Sequence, residues 1–183
     1  MLKKIIGLVG ESGSGKDTFC RYLIKKRKNV FCLRFSQPIT EALNIFINEI
    51  KREDQQWLAN LLRKRFGNDI LIQALKKKLK TIQKGIIVFN GIRYWEEYQL
   101  IKQLKGKIIY ITAEPKVRWQ RMRQRQEKKD DRTSWQKFKK LEKASTEIYI
   151  PLIGRQSDFK INNNGPLKDF YKEINKALKQ FNL

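Results

Sequence analysis

Residues 10–18 read GESGSGKDT, and this stretch decides the fold. Its glycines let successive backbone N–H groups turn inward around phosphate oxygens, and the lysine that follows can reach the β- and γ-phosphates of a nucleotide. The strict pattern asks for Ser or Thr directly after that lysine, whereas this chain has Asp17 there and Thr18 one residue later. The stretch therefore reads G-x-x-G-x-G-K-x-T, which predicts a phosphate-binding loop.

The residues on either side of the loop support this prediction. Residues 3–9, KKIIGLV, form a short apolar run that is typical of a buried parallel strand. After the loop, Phe19, Leu23 and Ile24 fall on one face of a helix. A strand, a glycine-rich loop and a helix in that order hold phosphate oxygens at the helix N-terminus, so we interpret the stretch as a nucleotide site rather than a plain turn.

The remaining hydrophobic pattern predicts an α/β fold. Further strands are expected at 30–35, 85–89, 107–112 and 158–161. Helices are expected from Ser36 as a cap to about 51, at 54–66, 69–82 and 115–126, from a capping box at Thr133 to about 149, and from Gly165 onward. Five short strands joined by helices imply a parallel sheet with helices on both faces. Such sheets bind ligands at the carboxyl ends of their strands.

Length and composition exclude several classes of protein. The chain has 183 residues, enough for one domain with a core that needs no metal or disulfide, and it has no histidine. Ser-His and Cys-His nucleophiles and the usual zinc sites are thereby excluded. Cys20 and Cys32 are expected to be reduced, buried thiols, and no apolar run is long enough to cross a membrane. We expect a soluble cytoplasmic protein with no membrane partner; its oligomeric state stays open.

The net charge of +23 would attract nucleic acid, an anionic membrane or phosphorylated small molecules. Lys, Ile, Asn and Phe are all plentiful, so we favour biased composition over a dedicated nucleic-acid surface. The tryptophans, which lie among basic residues, could stack on bases, but core packing is the favoured interpretation. They are Trp57, Trp95, Trp119 and Trp135. A nucleic-acid partner is therefore an open alternative that we do not favour.

Several further stretches make the chain similar to the nucleoside-monophosphate-kinase-like branch of the P-loop proteins. That branch includes deoxynucleoside monophosphate kinases, dephospho-CoA kinases and related archaeal nucleotide kinases. The resemblance covers nearly the whole chain. Besides the loop, it is carried by RFSQPI at 34–39, RFGNDI at 65–70, NGIR at 90–93, the Arg-rich stretch at 118–132 and NNNG at 162–165.

This resemblance implies a P-loop NTPase fold whose five-stranded parallel sheet has the order 2-3-1-4-5, with an Arg-rich lid over the phosphates. It implies one kinase domain over residues 1–183, with an acceptor-binding helical region at about 36–82 and a lid at about 115–149. The cofactors expected are ATP as donor and Mg²⁺, and the expected partner is a small-molecule nucleotide acceptor.

The donor site is expected around the loop. Lys16 is the predicted donor-phosphate contact, while Asp17 or Thr18 would hold Mg²⁺ or its water shell. Asn90 ends the third strand, where relatives usually have an acid that organises the metal, so Asp17 or Glu11 would have to compensate. The resemblance places adenine near Asn163 and Gly165, although a simple Asn-Gly turn is an alternative. The predicted cofactor-binding residues are Gly10, Gly13, Ser14, Gly15, Lys16, Asp17, Thr18, Arg118, Asn163 and Gly165.

Arginines are the other predicted catalytic groups, because phosphoryl transfer needs positioning and charge neutralisation. Arg93 could grip an acceptor phosphate, or it could pair with Glu96 or Glu97. The i, i+3, i+7 spacing of Arg118, Arg121 and Arg125 puts them on one helix face, either closing over the phosphates or solvated. Arg132 would be a further clamp. The predicted catalytic residues are Lys16, Arg93, Arg121 and Arg125.

A phosphate acceptor is the preferred hypothesis. A hydroxyl acceptor benefits from a carboxylate base, worth about 10²- to 10⁴-fold. Dephospho-CoA kinases carry an Asp just after the second strand, but this chain has RFSQ at 34–37. The predicted substrate-binding residues are Arg34, Ser36, Arg65, Arg93 and Arg132. We predict ATP-dependent phosphorylation of a (deoxy)nucleoside monophosphate. A hydroxyl kinase, a nucleic-acid-associated NTPase or polynucleotide kinase, and a non-catalytic nucleotide-binding module are the alternatives.

Overall fold

The sheet is the centre of the molecule. The computed structural model describes residues 3–125, 134–144 and 147–183, apart from the side chains of Arg52 and Arg125. The five strands are β1 (Lys3–Val9), β2 (Val30–Arg34), β3 (Gly85–Ile92), β4 (Lys107–Thr112) and β5 (Phe159–Asn162). Every pair of neighbours is parallel, in the order β2-β3-β1-β4-β5. The predicted fold class and strand order are confirmed.

The core lies on both faces of this sheet because the central strands are apolar along their whole length. In β1, Ile6, Leu8 and Val9 are fully buried, since helices cover both of their neighbouring faces. Val9 packs in one core cluster, and Leu8 packs in the other against Phe19 of the helix after the loop. The two clusters hold the carboxyl end of β1, and the loop that follows it, in a rigid position.

The helices are listed in chain order: α1 (Lys16–Lys26), α2 (Gln37–Phe46), α3 (Arg52–Phe66), α4 (Ile70–Thr81), α5 (Trp95–Gln103), α6 (Pro115–Arg125), α7 (Trp135–Glu142), α8 (Ile150–Arg155) and α9 (Leu167–Gln180). Most lie where the sequence predicts them. The helix expected from 133 to 149 is wrong, because α7 ends at Glu142 and α8 starts separately with a proline in its first turn.

Two expected caps also differ. Ser36 does precede α2, but its side chain makes no capping hydrogen bond within the described residues, and α2 ends at Phe46 rather than near 51. Ser134 rather than Thr133 is the residue described at the start of α7, where its hydroxyl accepts a hydrogen bond from the Lys137 N–H at 3.3 Å. Thr133 lies outside the described residues.

Helices α2, α3 and α4 follow β2 and precede β3 in the chain, and they pack around a small core that is separate from the two clusters at the sheet. Ile39, Leu43 and Leu71 make a small core of their own, against which Leu58 and Leu62 pack. A cavity of about 300 Å³ opens between these helices. In the described ranges, no helix is both long enough and apolar enough to cross a bilayer.

Candidate active site

The glycine-rich loop lies at the carboxyl end of β1, pressed between two other parts of the chain. Gly13 has φ 79°, and a Cβ there would lie 2.6 Å from the Arg118 carbonyl oxygen on α6. Gly15 has φ 115°, and a Cβ there would lie 2.5 Å from Asn163 Nδ2. Only glycine permits both the left-handed backbone and these close approaches. The loop is therefore shaped by α6 and by the segment after β5.

Lys16, the first residue of α1, folds back over the loop. Its Nζ donates hydrogen bonds to the carbonyl oxygens of Gly10 at 2.7 Å and Glu11 at 2.9 Å. Burial and the positive charge of Arg93 lower the pKa of Lys16 from 10.5 to about 8, although nearby carboxylates oppose this. The lowered pKa means that the surrounding protein does not fully neutralise the buried ammonium. A bound phosphate group would supply the missing negative charge.

Asp17 joins α1 to the carboxyl ends of β2 and β3. Its Oδ1 accepts hydrogen bonds from Arg34 Nη2 and from Asn90 Nδ2, both at 2.7 Å. Burial opposes ionisation, but Arg34, the Asn90 amide and Lys16 outweigh it and hold the pKa of Asp17 below its ordinary value. The third strand has no carboxylate at Asn90. Asp17 supplies one at the same place, beside the Asn90 amide.

Oxygen donors suited to Mg²⁺ are present at this point. Mg²⁺ is usually held by one or two carboxylates together with substrate phosphates and water, and the ionised Asp17 supplies one carboxylate. Thr18 is half-buried, and its Oγ1 accepts a 3.4 Å hydrogen bond from Arg21. Among the described residues there is no group of three or more His, Cys, Asp or Glu side chains that could hold a metal without phosphates. The donor set fits a metal carried with a nucleotide.

Two buried polar atoms at the loop have no hydrogen-bond partner in the described part of the chain. They are Ser14 Oγ and Glu11 Oε2. The other carboxylate oxygen of Glu11 accepts a 2.5 Å hydrogen bond from the Tyr110 hydroxyl, which with burial raises the pKa of Tyr110 to about 12. Unpaired buried polar atoms are costly, so these two are open to a ligand or its water shell.

Arg93 lies just beyond β3 and is held by two carboxylates. Its backbone N–H donates to Glu97 Oε2 at 2.8 Å, and its guanidinium pairs with Glu147. The alternative that Glu96 or Glu97 takes the guanidinium is therefore wrong. Glu147 is buried and comes from the segment between α7 and α8, and no sequence signal marks it as a partner. Burial raises the pKa of Glu97 to about 7.

Arg118 and Arg121 of α6 turn toward the protein. Arg118 is buried and donates to the Ala113 carbonyl at 2.8 Å and the Ser12 carbonyl at 3.4 Å, and it pairs with Glu142. Arg121 donates to the carbonyls of Asn163 and Gly165 at 2.6 and 3.1 Å. These contacts fasten α6 to the loop. The Arg125 side chain and Arg132 lie outside the described residues, so the lid stays a prediction.

The segment expected at adenine is anchored to the phosphate loop. Asn163 is buried, and its Nδ2 donates to the Ser14 carbonyl at 2.8 Å. Its backbone N–H donates to the Thr112 carbonyl at 2.7 Å. The amide nitrogen of Asn163 therefore positions the loop, which differs from the expected direct reading of a base. Gly165 enters the site through its carbonyl, as a hydrogen-bond acceptor for Arg121.

Two predicted acceptor residues, Arg65 and Ser36, are exposed, and their role in binding stays a prediction. Arg65 is exposed on the last turn of α3, whereas the half-buried Arg63 lies over the Tyr94 ring at 4.5 Å and faces Glu97 electrostatically. Ser36 uses its carbonyl, which accepts the Thr40 hydroxyl at 3.1 Å. Sequence reasoning chose Arg65 rather than Arg63 because both are arginines of the same helix. Only the packing of α3 beside the end of β3 shows which of the two faces the site.

The tryptophans do not form one surface. Trp57 is 62% exposed on α3, and Trp95 is partly exposed at the start of α5. Trp119 and Trp135 pack edge to face with ring centroids 5.7 Å apart, and Trp135 stacks on the buried Phe138. The last two tryptophans thus pack between helices, as the favoured interpretation expects.

The phosphate loop and the sheet are similar to those of a known protein family. A family model described as an AAA domain, AAA_18, matches residues 6–149. The chain belongs to the AAA_18 family. This match runs from β1 to Tyr149, so the AAA_18 region includes the phosphate loop, Arg93, Arg118 and Glu147 but not Asn163. The expected resemblance to P-loop kinases is confirmed at the level of the family.

Similar proteins extend this AAA_18 assignment over almost the whole chain. A UPF0200 protein of Sulfurisphaera tokodaii is 25% identical over 181 residues, covering 98% of both chains. A UPF0200 protein of Saccharolobus islandicus is 26% identical over 171 residues, 91% of this chain and 88% of that protein. Both relatives therefore match beyond the AAA_18 region and through β5, and the Sulfurisphaera protein also covers most of α9.

Solved structures show the same fold. A shikimate kinase from Acinetobacter baumannii in complex with shikimate superposes with a TM-score of 0.61 at 18% identity, covering 98% of this chain and 95% of that one. A shikimate kinase from Aquifex aeolicus gives 0.58 at 17% identity, with 96% of each chain covered. The AAA_18 chain thus has a P-loop kinase-type fold throughout its length.

Proposed function

We propose that this chain is an ATP-dependent kinase that transfers the γ-phosphoryl group to a (deoxy)nucleoside monophosphate. The observation that carries the proposal is the convergence of Lys16 and Arg93 at the loop. Val9 and Ile92 are register partners in neighbouring strands, so the loop and Arg93 follow at the same edge of the sheet, where the charge of Arg93 contributes to the lowered pKa of Lys16. Protein oxygens now hold both, namely the Gly10 and Glu11 carbonyls and the Glu147 carboxylate. Phosphate oxygens would replace them.

On the donor side, the chain supplies charge and position. Backbone N–H groups of the loop and the N-terminus of α1 attract the β- and γ-phosphates, and Lys16 neutralises the charge that develops during transfer. The buried Ser14 hydroxyl is available as a further hydrogen-bond donor. Asp17 would hold Mg²⁺ or its water shell. When bound, Mg²⁺ would neutralise charge on the phosphates.

On the acceptor side, the groups near the ends of β2 and β3 are suited to an anion. The guanidinium groups of Arg34, Arg63 and Arg93 come from three different elements, and each already faces a carboxylate or an aromatic ring. An acceptor phosphate is already an anion, so it needs such donors and no general base. A monophosphate could exchange with Glu147 as the partner of Arg93.

A hydroxyl acceptor is the second candidate, and one observation favours it. The sequence has no carboxylate directly after β2, but Asp17 reaches the ends of β2 and β3 from α1. A carboxylate at that place could take the proton of an acceptor hydroxyl. The solved shikimate kinases with this fold include one in complex with shikimate, a hydroxylated acid.

A cytoplasmic location is part of the proposal. It is supported by the free thiols of Cys20 and Cys32, because disulfides are rare in reducing compartments.

The test is a screen of acceptors with Mg-ATP, read by mass spectrometry. The panel contains the nucleoside and deoxynucleoside monophosphates, shikimate and dephospho-CoA. We expect a diphosphate from at least one monophosphate. Arg93→Met should lower kcat/KM by about 10²-fold or more. Arg155→Met, a matched change at an exposed arginine on α8, should leave it unchanged.

The screen separates the two candidates. A phosphorylated product from shikimate or dephospho-CoA, with none from any monophosphate, would replace the proposal with the hydroxyl kinase. No product from any acceptor, together with ATP binding that Lys16→Ala abolishes, would leave a nucleotide-binding module without transfer.

A further inference from the structure

The amino-terminal ends of the strands form a surface that is unusually rich in cations. We name it the basic pole, and it lies at the edge of the sheet opposite the phosphate loop. Its residues are exposed and come from separate segments: the starts of β1 and β4, the ends of α1, α4, α8 and α9, and the connections before β2, β3 and β4. They are Lys3, Lys4, Lys25, Lys26, Arg27, Lys28, Lys80, Lys84, Lys105, Lys107, Arg155 and Lys179.

Contacts between these segments show that they meet at one surface. Lys3 Nζ donates to the Leu79 carbonyl at the end of α4 at 3.0 Å, and Lys4 donates to the Asn182 carbonyl after α9. Arg27 Nη2 is 3.5 Å from the Leu183 carbonyl. Lys107 Nζ lies 5.9 Å from the centroid of the Phe181 ring, also after α9. The C-terminal residues thus connect β1, α1 and β4 at the pole.

Acidic residues are almost excluded from this edge. In residues 3–125, 134–144 and 147–183, Asp158 is the acidic side chain at the pole, where it lies 3.3 Å from Lys102 and 3.9 Å from Lys107. Asp17, Glu96 and Asp169 lie in the first turns of α1, α5 and α9. Those turns are at the opposite edge of the sheet. The two edges therefore carry different charge.

The helix dipole explains only part of this separation. Five helices, α1, α4, α5, α8 and α9, end at the pole, and each end carries about −0.5 elementary charge. Their sum of about −2.5 is much smaller than the positive charge of the pole. Lys28, Lys84 and Lys105 also lie in connections rather than in helical turns. Cations also lie at the loop edge, but carboxylates pair with them there, as Asp17 does with Arg34 and Glu147 with Arg93. Among the described residues the pole has Asp158 alone for this purpose, so its positive charge is left for an external anion.

A phosphodiester backbone is the polyanion that fits best. Five strands spaced about 4.8 Å apart make the pole about 19 Å wide, and duplex DNA carries one charge per about 1.7 Å. Lysine is a point-charge donor suited to phosphates, and contacts to phosphates carry no sequence information. Membrane binding also needs apolar anchors. The most exposed ones in the described chain, Ile45, Phe46 and Trp57, lie on α2 and α3 instead.

We propose that the basic pole binds the phosphate backbone of nucleic acid without base specificity. Because the pole and the phosphate loop lie at opposite edges of the sheet, both can be occupied at once. The proposal does not depend on which acceptor the kinase uses. About five phosphates would contact the face presented to a duplex, so the logarithm of affinity should fall against the logarithm of salt with a slope of about −4.5.

The test compares two triple variants of the whole chain. Lys25, Lys26 and Lys28 are changed to Gln in the first, and Lys116, Lys168 and Lys172, exposed in α6 and α9, are changed to Gln in the matched control. Fluorescence anisotropy follows a labelled 20-base-pair duplex of arbitrary sequence between about 50 and 200 mM salt. Vesicles of phosphatidylcholine and phosphatidylserine form the second arm, and ATP binding checks that each variant is folded.

The expected results differ sharply between the variants. Wild type and control should lose about 500-fold in duplex affinity over this salt range, whereas the pole variant, with about two contacts left, should bind more weakly at low salt and lose only about 12-fold. Equal losses in both variants, preferential binding to the vesicles, or no duplex binding at low salt would each overturn the proposal.

Discussion

Replacing Lys16 with Met should stabilise the protein when no nucleotide is present. The buried ammonium has its pKa lowered from 10.5 to about 8, which corresponds to a cost of about 3 kcal/mol at pH 7. Met removes this cost but also two hydrogen bonds to loop carbonyls, each worth about 1 kcal/mol. The net gain is about 1 kcal/mol, or a rise in Tm of about 2–4 °C for a chain of this size.

The stability difference between Lys16→Met and the wild type should depend on pH. The unfolded chain binds more protons at Lys16 than the folded chain between pH 8 and 10.5, so wild-type stability rises through that window. The advantage of Lys16→Met should therefore be full at pH 7 and shrink as the pH approaches 10. ATP at a concentration of 100 Kd should add about 2.7 kcal/mol to the wild type and nothing to the variant, which reverses the order.

The assay is thermal unfolding at pH 7 and pH 10, with and without Mg-ATP. Lys116→Met, at an exposed position on α6, is the control for the substitution itself. A lower Tm for Lys16→Met without nucleotide, or a difference from wild type that is the same at both pH values, would refute the account of Lys16 as an uncompensated buried cation.

Three further predictions test neighbouring groups. Gly13→Ala should lower stability by about 1–3 kcal/mol and abolish ATP binding by calorimetry, since its Cβ would meet the Arg118 carbonyl at 2.6 Å. The raised pKa of Glu97 makes the wild type lose stability as the pH rises from 4.5 to about 7. Glu97→Gln should remove this loss, which urea titrations at several pH values would measure. Asp17→Asn should flatten the acid limb of stability, because the lowered pKa of Asp17 makes the wild type lose stability as the pH falls; an unchanged acid limb would contradict this.

Much of the fold could be predicted because it depends on local patterns. The runs at 3–9 and 107–112 match β1 and β4 to the residue, since the part of each strand that is buried on both faces is continuously apolar. Helix ends were harder, because α2 stops at Phe46 with no sequence break that announces it. The split between α7 and α8 depends on Pro151, which begins a helix as readily as it ends one.

The sequence predicted the loop residues of the candidate site, but only some of the residues that contact them. Lys16 and Asp17 follow from a motif of adjacent residues. Glu147 lies 54 positions from Arg93 in the chain, and no spacing rule connects them. Arg118 satisfies the periodicity of a helix face, but the face turned out to be buried against the loop. Such partners depend on how elements pack, which a periodic pattern does not specify.

The sequence by itself determined the phosphate loop, the five strands and the total charge, because backbone conformation, burial and ionisation are properties of residues and their near neighbours. Which carboxylate faces which arginine, and which exposed lysines of separate segments meet at the basic pole, follow from the folded arrangement alone. Parallel strands bring distant segments to a common edge, so groups far apart in the chain share one electrostatic environment only after folding.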